Sequence, residues 1–92
     1  MGTKNNPGKF DCYSKLEPDE PHFVIMGRDP SASLLISLWA TLREATGENE
    51  AKTQEARDCA EACYQYAKKL GKGEAMNEVT LAWDNYLDDA TK

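Results

Sequence analysis

The chain has 92 residues and a formal net charge of -5, with 16 Asp and Glu residues against 11 Lys and Arg residues. A chain of this length forms one domain and buries only about 60 to 65% of the surface that its unfolded state exposes. The acidic balance argues against direct nucleic-acid binding, which needs cationic side chains to displace counterions from phosphates.

The apolar residues are mostly small. Eleven are alanine, and Leu, Ile, Val and Phe together number 14. This share is low for a self-contained core, although the modest net charge and the periodic spacing favour a folded chain. We therefore expect a single domain that gains stability from an interface with another chain.

The first residues of the chain predict a flexible tail over 1–9, where Gly2, Pro7 and Gly8 interrupt any periodic pattern. Residues 10–92 are expected to form one helical domain. No apolar run approaches the ~20 residues that span a bilayer, and residues 1–9 lack the apolar segment of a signal peptide. The sequence thus predicts no membrane contact and a cytoplasmic location.

A short strand is predicted at residues 22–27, where β-branched and aromatic residues follow an acidic loop containing Pro18 and Pro21. A single strand leaves backbone donors and acceptors without partners on both edges. Either residues 10–13 pair with it, or the same strand of a second subunit does. The second option makes a homodimer with a two-stranded ribbon across its axis.

Three helices follow, predicted at about 30–46, 49–70 and 74–89. Asp29 and Pro30 favour the start of the first helix, and Gly47 and Gly71 end the first two. Each helix has an apolar face at three- and four-residue steps. The faces contain Leu35, Leu38, Trp39 and Leu42; Ala56, Cys59, Ala60, Cys63, Ala67 and Leu70; and Met76, Val79, Trp83, Tyr86, Leu87 and Ala90.

The connections between these helices are short, so neighbouring helices are expected to pack antiparallel. The predicted fold class is therefore mostly α with a minor β component (α+β): a three-helix antiparallel domain with one short N-terminal strand.

The cysteines raise the question of a metal site. Cys59 and Cys63 lie one helical turn apart, and Cys12 with His22 would complete a zinc site of three thiolates and one imidazole. Both helical cysteines fall on the small apolar stripe, where buried free thiols are the simpler interpretation. We expect no metal and no cofactor, and keep the zinc site as an alternative.

No catalytic residue is predicted. His22 is the only histidine and Cys12 the only thiol near it in sequence, but a dyad also needs hydrogen-bond reach and an orienting group. The acidic loop, with Asp19 and Glu20, is typical of a solvated loop rather than of acid–base catalysis. Because no glycine-rich phosphate motif occurs, we expect a protein that is not an enzyme.

Binding residues are sought among exposed aromatic and charged side chains, because Trp, Tyr and Arg are enriched at interface hot spots. The candidates are residues of this kind that lie in loops or on helix faces. They are Tyr13, Asp19, Glu20, Arg28, Trp39 and Tyr64. Two of these residues also have a structural interpretation: Trp39 could pack in the core, and Arg28 could form an ion pair with an acidic neighbour.

Four strings carry a resemblance: KFDCY at 9–13, PDEPHF at 18–23, RDP at 28–30 and LLISLWA at 34–40. Here the chain resembles a family of small uncharacterised bacteriophage and prophage proteins, over about residues 9–67. The resemblance implies a phage accessory protein acting in the host cytoplasm, and such proteins are often inhibitors of host or defence proteins.

Three functional hypotheses result. The first is a phage-type accessory protein that binds and inhibits a host or defence protein without catalysis. The second is a sponge that sequesters an anionic nucleotide in a dimer groove lined by Tyr13, Arg28 and Trp39. The third is a zinc-stapled structural module.

Overall fold

The protein is described by a computed structural model over residues 1–91, and these residues are mostly helical. A 3-10 turn at Tyr13–Lys15 precedes three helices, α1 (Ala32–Ala45), α2 (Glu50–Lys69) and α3 (Gly73–Ala90). The three helices predicted from the apolar spacing are confirmed, with boundaries within three residues of those expected. No helix in this part of the chain is long and apolar enough to cross a membrane.

The helix starts follow from local hydrogen bonds. Asn49 caps α2, since its side-chain oxygen accepts from the Ala51 amide at 2.8 Å. Asp29 instead makes a turn ahead of α1, where its Oδ1 accepts from the Ser31 amide at 2.8 Å and from the Ser31 hydroxyl at 2.6 Å. These bonds lower the pKa of the Asp29 carboxyl and delay the helix start to Ala32.

The core lies between α1 and α2 and consists of small side chains. Of the residues described, those that are buried are Ala32, Ala40, Thr53, Ala56, Ala60, Ala67 and Met76. Small side chains let two helix backbones approach closely, and α1 and α2 make the one extensive close helix–helix approach found in residues 1–91. An Arg57–Glu44 ion pair at 2.9 Å borders this contact.

The predicted apolar face of α1 is only partly in the core. Leu35, Trp39 and Leu42 are exposed by 42, 37 and 66%, whereas Ala32 and Ala40 are completely buried. The reason is steric: the face with alanines fits closely against the alanines of α2, and the larger side chains are left on the outer side. The apolar face predicted for α1 is therefore not the face that packs against α2, and of the two interpretations of Trp39 its exposure favours the surface one.

The strand predicted at 22–27 is also wrong, since residues 21–26 have no regular secondary structure and a turn begins at Gly27. Residues 10–13 do not pair with this segment, because a 3-10 turn forms at Tyr13–Lys15. The other expected partner, the same segment of a second subunit, is not present in a single chain. The segment instead lies against α2, where Gly27 approaches the Cys63 sulfur. The Lys72 ammonium also donates to the Arg28 carbonyl at 2.9 Å.

The start of the chain, predicted to be a tail, contacts the helices. Thr3 and Asn6 close a turn with two backbone hydrogen bonds. Glu55 of α2 accepts from the Lys9 amide at 2.7 Å and from the Phe10 amide at 3.0 Å, and these bonds lower the pKa of its carboxyl. The start of the chain is therefore held against α2 through Glu55.

Candidate partner-binding surface

Large apolar side chains are concentrated on the surface of this protein. In residues 1–91, Met76 is the one large hydrophobic side chain that is buried. The exposed ones fall into three regions: the N-terminal segment, the outer side of α1, and the C-terminal halves of α2 and α3. They are Tyr13, Phe23, Val24, Met26, Leu35, Trp39, Leu42, Tyr64, Tyr66, Leu70, Leu81, Tyr86 and Leu87. Single exposed apolar residues are ordinary, but contiguous ones mark interaction surfaces.

The most exposed group, which we term the N-terminal patch, consists of Tyr13, His22, Phe23 and Val24. Phe23 is 81% exposed, Tyr13 71% and Val24 67%. The Tyr13 and His22 rings meet edge to face, with centroids 5.8 Å apart. All four residues line a groove of about 360 Å³ whose floor includes Phe10 and Leu16. The patch is thus a shaped apolar surface.

An acidic turn borders the N-terminal patch. The Glu20 amide donates to the Glu17 carbonyl at 3.1 Å, and the Glu17 amide donates to the Glu20 carboxylate at 3.0 Å. Both glutamates share a groove of about 260 Å³ with Tyr13 and His22. Asp19 is exposed between them. The apolar patch therefore has a carboxylate rim, in which the turn itself fixes Glu20.

The backbone beneath the N-terminal patch is open to a partner. Within residues 1–91, residues 22–25 make no backbone hydrogen bond, although Met26 accepts from the Asp29 amide at 2.9 Å. Their amide and carbonyl groups are available to water or to another chain.

The other predicted binding residues lie elsewhere. Trp39 lines a separate apolar groove of about 320 Å³, and the Lys52 ammonium lies 5.9 Å from its ring centroid. Arg28 donates to the Met26 sulfur at 3.3 Å, and Tyr64 on α2 carries Lys68 over its ring. In one chain, Tyr13 and Trp39 line different grooves and Arg28 lines neither. The structure therefore brings together Tyr13 and Glu20 but not the predicted nucleotide groove.

The alternative of a zinc site concerns Cys12, His22, Cys59 and Cys63. In the described residues, no group of three or more His, Cys, Asp or Glu side chains is placed to hold a metal ion. Burial on α2 and the neighbouring Cys59 raise the pKa of the Cys63 thiol to about 11. A thiol with so high a pKa stays protonated at neutral pH, as expected for a partly buried free cysteine.

Cys12 and His22 line one groove without forming a dyad. The Cys12 thiol donates to the Phe10 carbonyl at 3.6 Å, and no hydrogen bond joins it to His22 in the described part of the chain.

A further groove, of about 760 Å³, is formed by the connection between α1 and α2 and is lined with carboxylates. Two of these carboxylates already have cationic partners. Glu48 contacts Arg43 at 2.8 Å and Glu44 contacts Arg57 at 2.9 Å. The carboxylates of this groove thus stabilise the helix connection.

Phe23 and Val24 were not predicted to be surface residues, because their residue types favour a paired strand. The sequence did contain an indication that they are exposed, because a predicted strand without an evident partner leaves its side chains and backbone uncovered. Compared with known protein families, curated proteins and solved structures, the chain has no match. The case for function rests on the surface itself.

Proposed function

We propose that this chain is a non-catalytic binding protein that forms a stoichiometric complex with a host protein and inhibits it. The observation that carries the proposal is the N-terminal patch, where Tyr13, Phe23 and Val24 are each more than two-thirds exposed beside a carboxylate rim. A surface of this kind is costly to leave in water and is typical of an interaction site.

The composition of the patch indicates the chemistry of the partner. Aromatic side chains at the centre of an interface supply most of the binding energy, while the polar rim contributes orientation and association rate. The rim here contains Glu17, Asp19 and Glu20. The complementary surface is therefore an apolar depression edged by Lys or Arg, and its association rate falls as salt concentration rises.

The open backbone at residues 22–25 suggests how the partner is held. A segment with available amide and carbonyl groups can join the edge of a partner's sheet, with alternate side chains filling pockets. Phe23 is then the anchor, since it is the most exposed large side chain of the patch. In this binding mode, residues 22–27 form a strand when they pair with the partner, as their residue types favour.

The resemblance of residues 9–67 to phage and prophage proteins supports a host protein as the partner class. The protein would act by occupying a surface that the host protein needs.

The test compares the wild-type chain with Phe23→Glu and Leu81→Glu, each immobilised and exposed to host extract. Leu81, 61% exposed on α3, is the matched control for adding a charge at an exposed apolar position. We expect wild type and Leu81→Glu to retain one host protein in equimolar amount. Phe23→Glu should bind the purified partner at least about tenfold more weakly, as expected for an aromatic anchor.

Circular dichroism shows whether the variants keep their helices, so that lost binding is separated from lost folding. The proposal fails if no host protein is retained in stoichiometric amount. It also fails if Phe23→Glu retains the partner as well as Leu81→Glu does.

A further inference from the structure

We propose that a second copy of this chain covers the outer side of α1 with the C-terminal half of α3, forming a twofold dimer with two identical α1–α3 contacts. This inference concerns residues outside the N-terminal patch and does not depend on the proposed function.

The amount of exposed surface indicates that an interface is missing from the single chain. The chain exposes 7243 Å², whereas a compact monomer of 10.3 kDa exposes about 5,400 Å². Its radius of gyration is 14.4 Å, against about 12 Å for a compact domain of this length. The excess of about 1,800 Å² per chain is the area that one subunit contributes to a large permanent dimer interface.

The apolar stripe of α3 continues beyond the part that the rest of the chain covers. Met76 is buried and Val79 and Trp83 are half-buried. One turn further on, Tyr86 is 62% and Leu87 41% exposed. Trp83 and Tyr86 stack with centroids 5.5 Å apart, so the covered and uncovered parts form one continuous apolar face.

The outer side of α1 offers a matching face. Leu35, Trp39 and Leu42 follow one another at helical spacing and are all exposed. Leu35 and Trp39 also line the apolar groove of about 320 Å³ beneath the N-terminal segment. This groove, beside the exposed Leu42, can receive apolar side chains of a second helix.

The charges on α1 and α3 favour an α1–α3 contact over an α3–α3 contact. Helix α3 carries five carboxylates and no Lys or Arg, so two α3 helices placed side by side would repel each other. The α1 face is bordered by Lys52, above Trp39, and by Arg43, one turn beyond it. Both contact Glu48, so these three side chains together carry one net positive charge. The α1–α3 pairing therefore joins opposite charges, and twofold symmetry repeats it once in each direction.

The test uses sedimentation equilibrium on the full chain. The wild type should have twice the 10.3 kDa mass of one chain. Leu42→Lys on α1 and Leu87→Glu on α3 should each weaken self-association at least about tenfold. Leu81→Glu, on another face of α3, should leave the wild-type mass unchanged.

An equimolar mixture of Leu42→Lys and Leu87→Glu separates this dimer from other arrangements. In a mixed α1–α3 dimer, one contact is unaltered and the other pairs a lysine with a glutamate, so dimer mass should return. In an α3–α3 dimer, Leu42→Lys alone would keep the dimer mass, because α1 takes no part in that contact.

Three results would overturn the proposal: a wild type with the mass of one chain at high micromolar concentration, a mixture that stays monomeric, or a Leu81→Glu variant as weak as Leu87→Glu. Phe23→Glu should keep the dimer mass, because Phe23 lies outside the proposed α1–α3 contact. Loss of host-protein binding and loss of the dimer are thereby distinguished.

Discussion

Glu48 is the side chain on which the connection between α1 and α2 depends most. Its carboxylate contacts the Arg43 guanidinium at 2.8 Å and accepts from the Asn49 amide at 2.9 Å, while Lys52 lies 3.6 Å away. The hydrogen bonds from Arg43 and from the Asn49 amide lower the pKa of Glu48 from 4.5 to about 2. The ionised form therefore joins the last turn of α1 to the start of α2.

Acid should remove this contribution. Because the pKa of Glu48 is lower in the folded than in the unfolded chain, its stabilising effect is complete above pH 4.5 and is lost as the pH falls towards 2. Thermal unfolding between neutral pH and pH 2 should therefore show a smaller loss of midpoint for Glu48→Gln than for wild type.

Glu61→Gln on α2, whose carboxylate accepts from Gln65 of the same helix, is the control. Its acid-induced loss should match that of the wild type. A Glu48→Gln variant that follows the wild-type curve down to pH 2 would show that the contact does not contribute in solution.

At the scale of elements, the contact between α1 and α2 depends on alanine. Ala56 is completely buried on α2, and its neighbours on the helix reach α1, since Arg57 pairs with Glu44. Replacing a small buried residue with a large one forces the helices apart, which typically costs about 1 to 3 kcal/mol.

Ala56→Leu should therefore lower the free energy of unfolding by about that amount, measured by urea unfolding followed by circular dichroism. Ala62→Leu, an exposed position on the same helix, should change it by less than about 0.5 kcal/mol. Equal effects of the two substitutions would contradict the close alanine contact.

The helices were the part of the fold that the sequence could predict. Apolar residues at three- and four-residue steps and stops at Gly47 and Gly71 located all three, and the small stripe of α2 correctly indicated a close neighbour. The face that α1 turns to the core could not be predicted. Trp39 and the leucines are the most apolar residues of α1, but the fit between Ala40 and the alanines of α2 depends on both helices at once.

The candidate site was predictable in part. Tyr13 and Glu20 were identified as aromatic and acidic loop residues, and they share a groove. Phe23 was not identified as a binding residue, because the β propensity of residues 22–27 predicted a strand there. That propensity produces a strand only when a second strand is available to pair with it. Distances between segments, such as that of Arg28 from Trp39, depend on tertiary packing that residue spacing does not encode.

At the scale of the whole molecule, the chain is rich in uncovered apolar surface. Its buried residues are mainly alanines, and its large side chains occupy the N-terminal patch, the outer side of α1 and the end of α3. A core this small gives limited stability by itself. An interface that covers α1 and α3 would therefore stabilise the fold as well as build the dimer, and would leave the N-terminal patch for a partner.

Thermal unfolding at different protein concentrations tests most directly whether a second copy completes this fold. Because a dimer dissociates when it unfolds, its midpoint rises with concentration, by about 4 °C per tenfold increase for a dimer of two such chains. We predict this rise between about 1 µM and 1 mM for wild type, and a smaller one for Leu87→Glu. A wild-type midpoint that stays constant over this range would contradict the account.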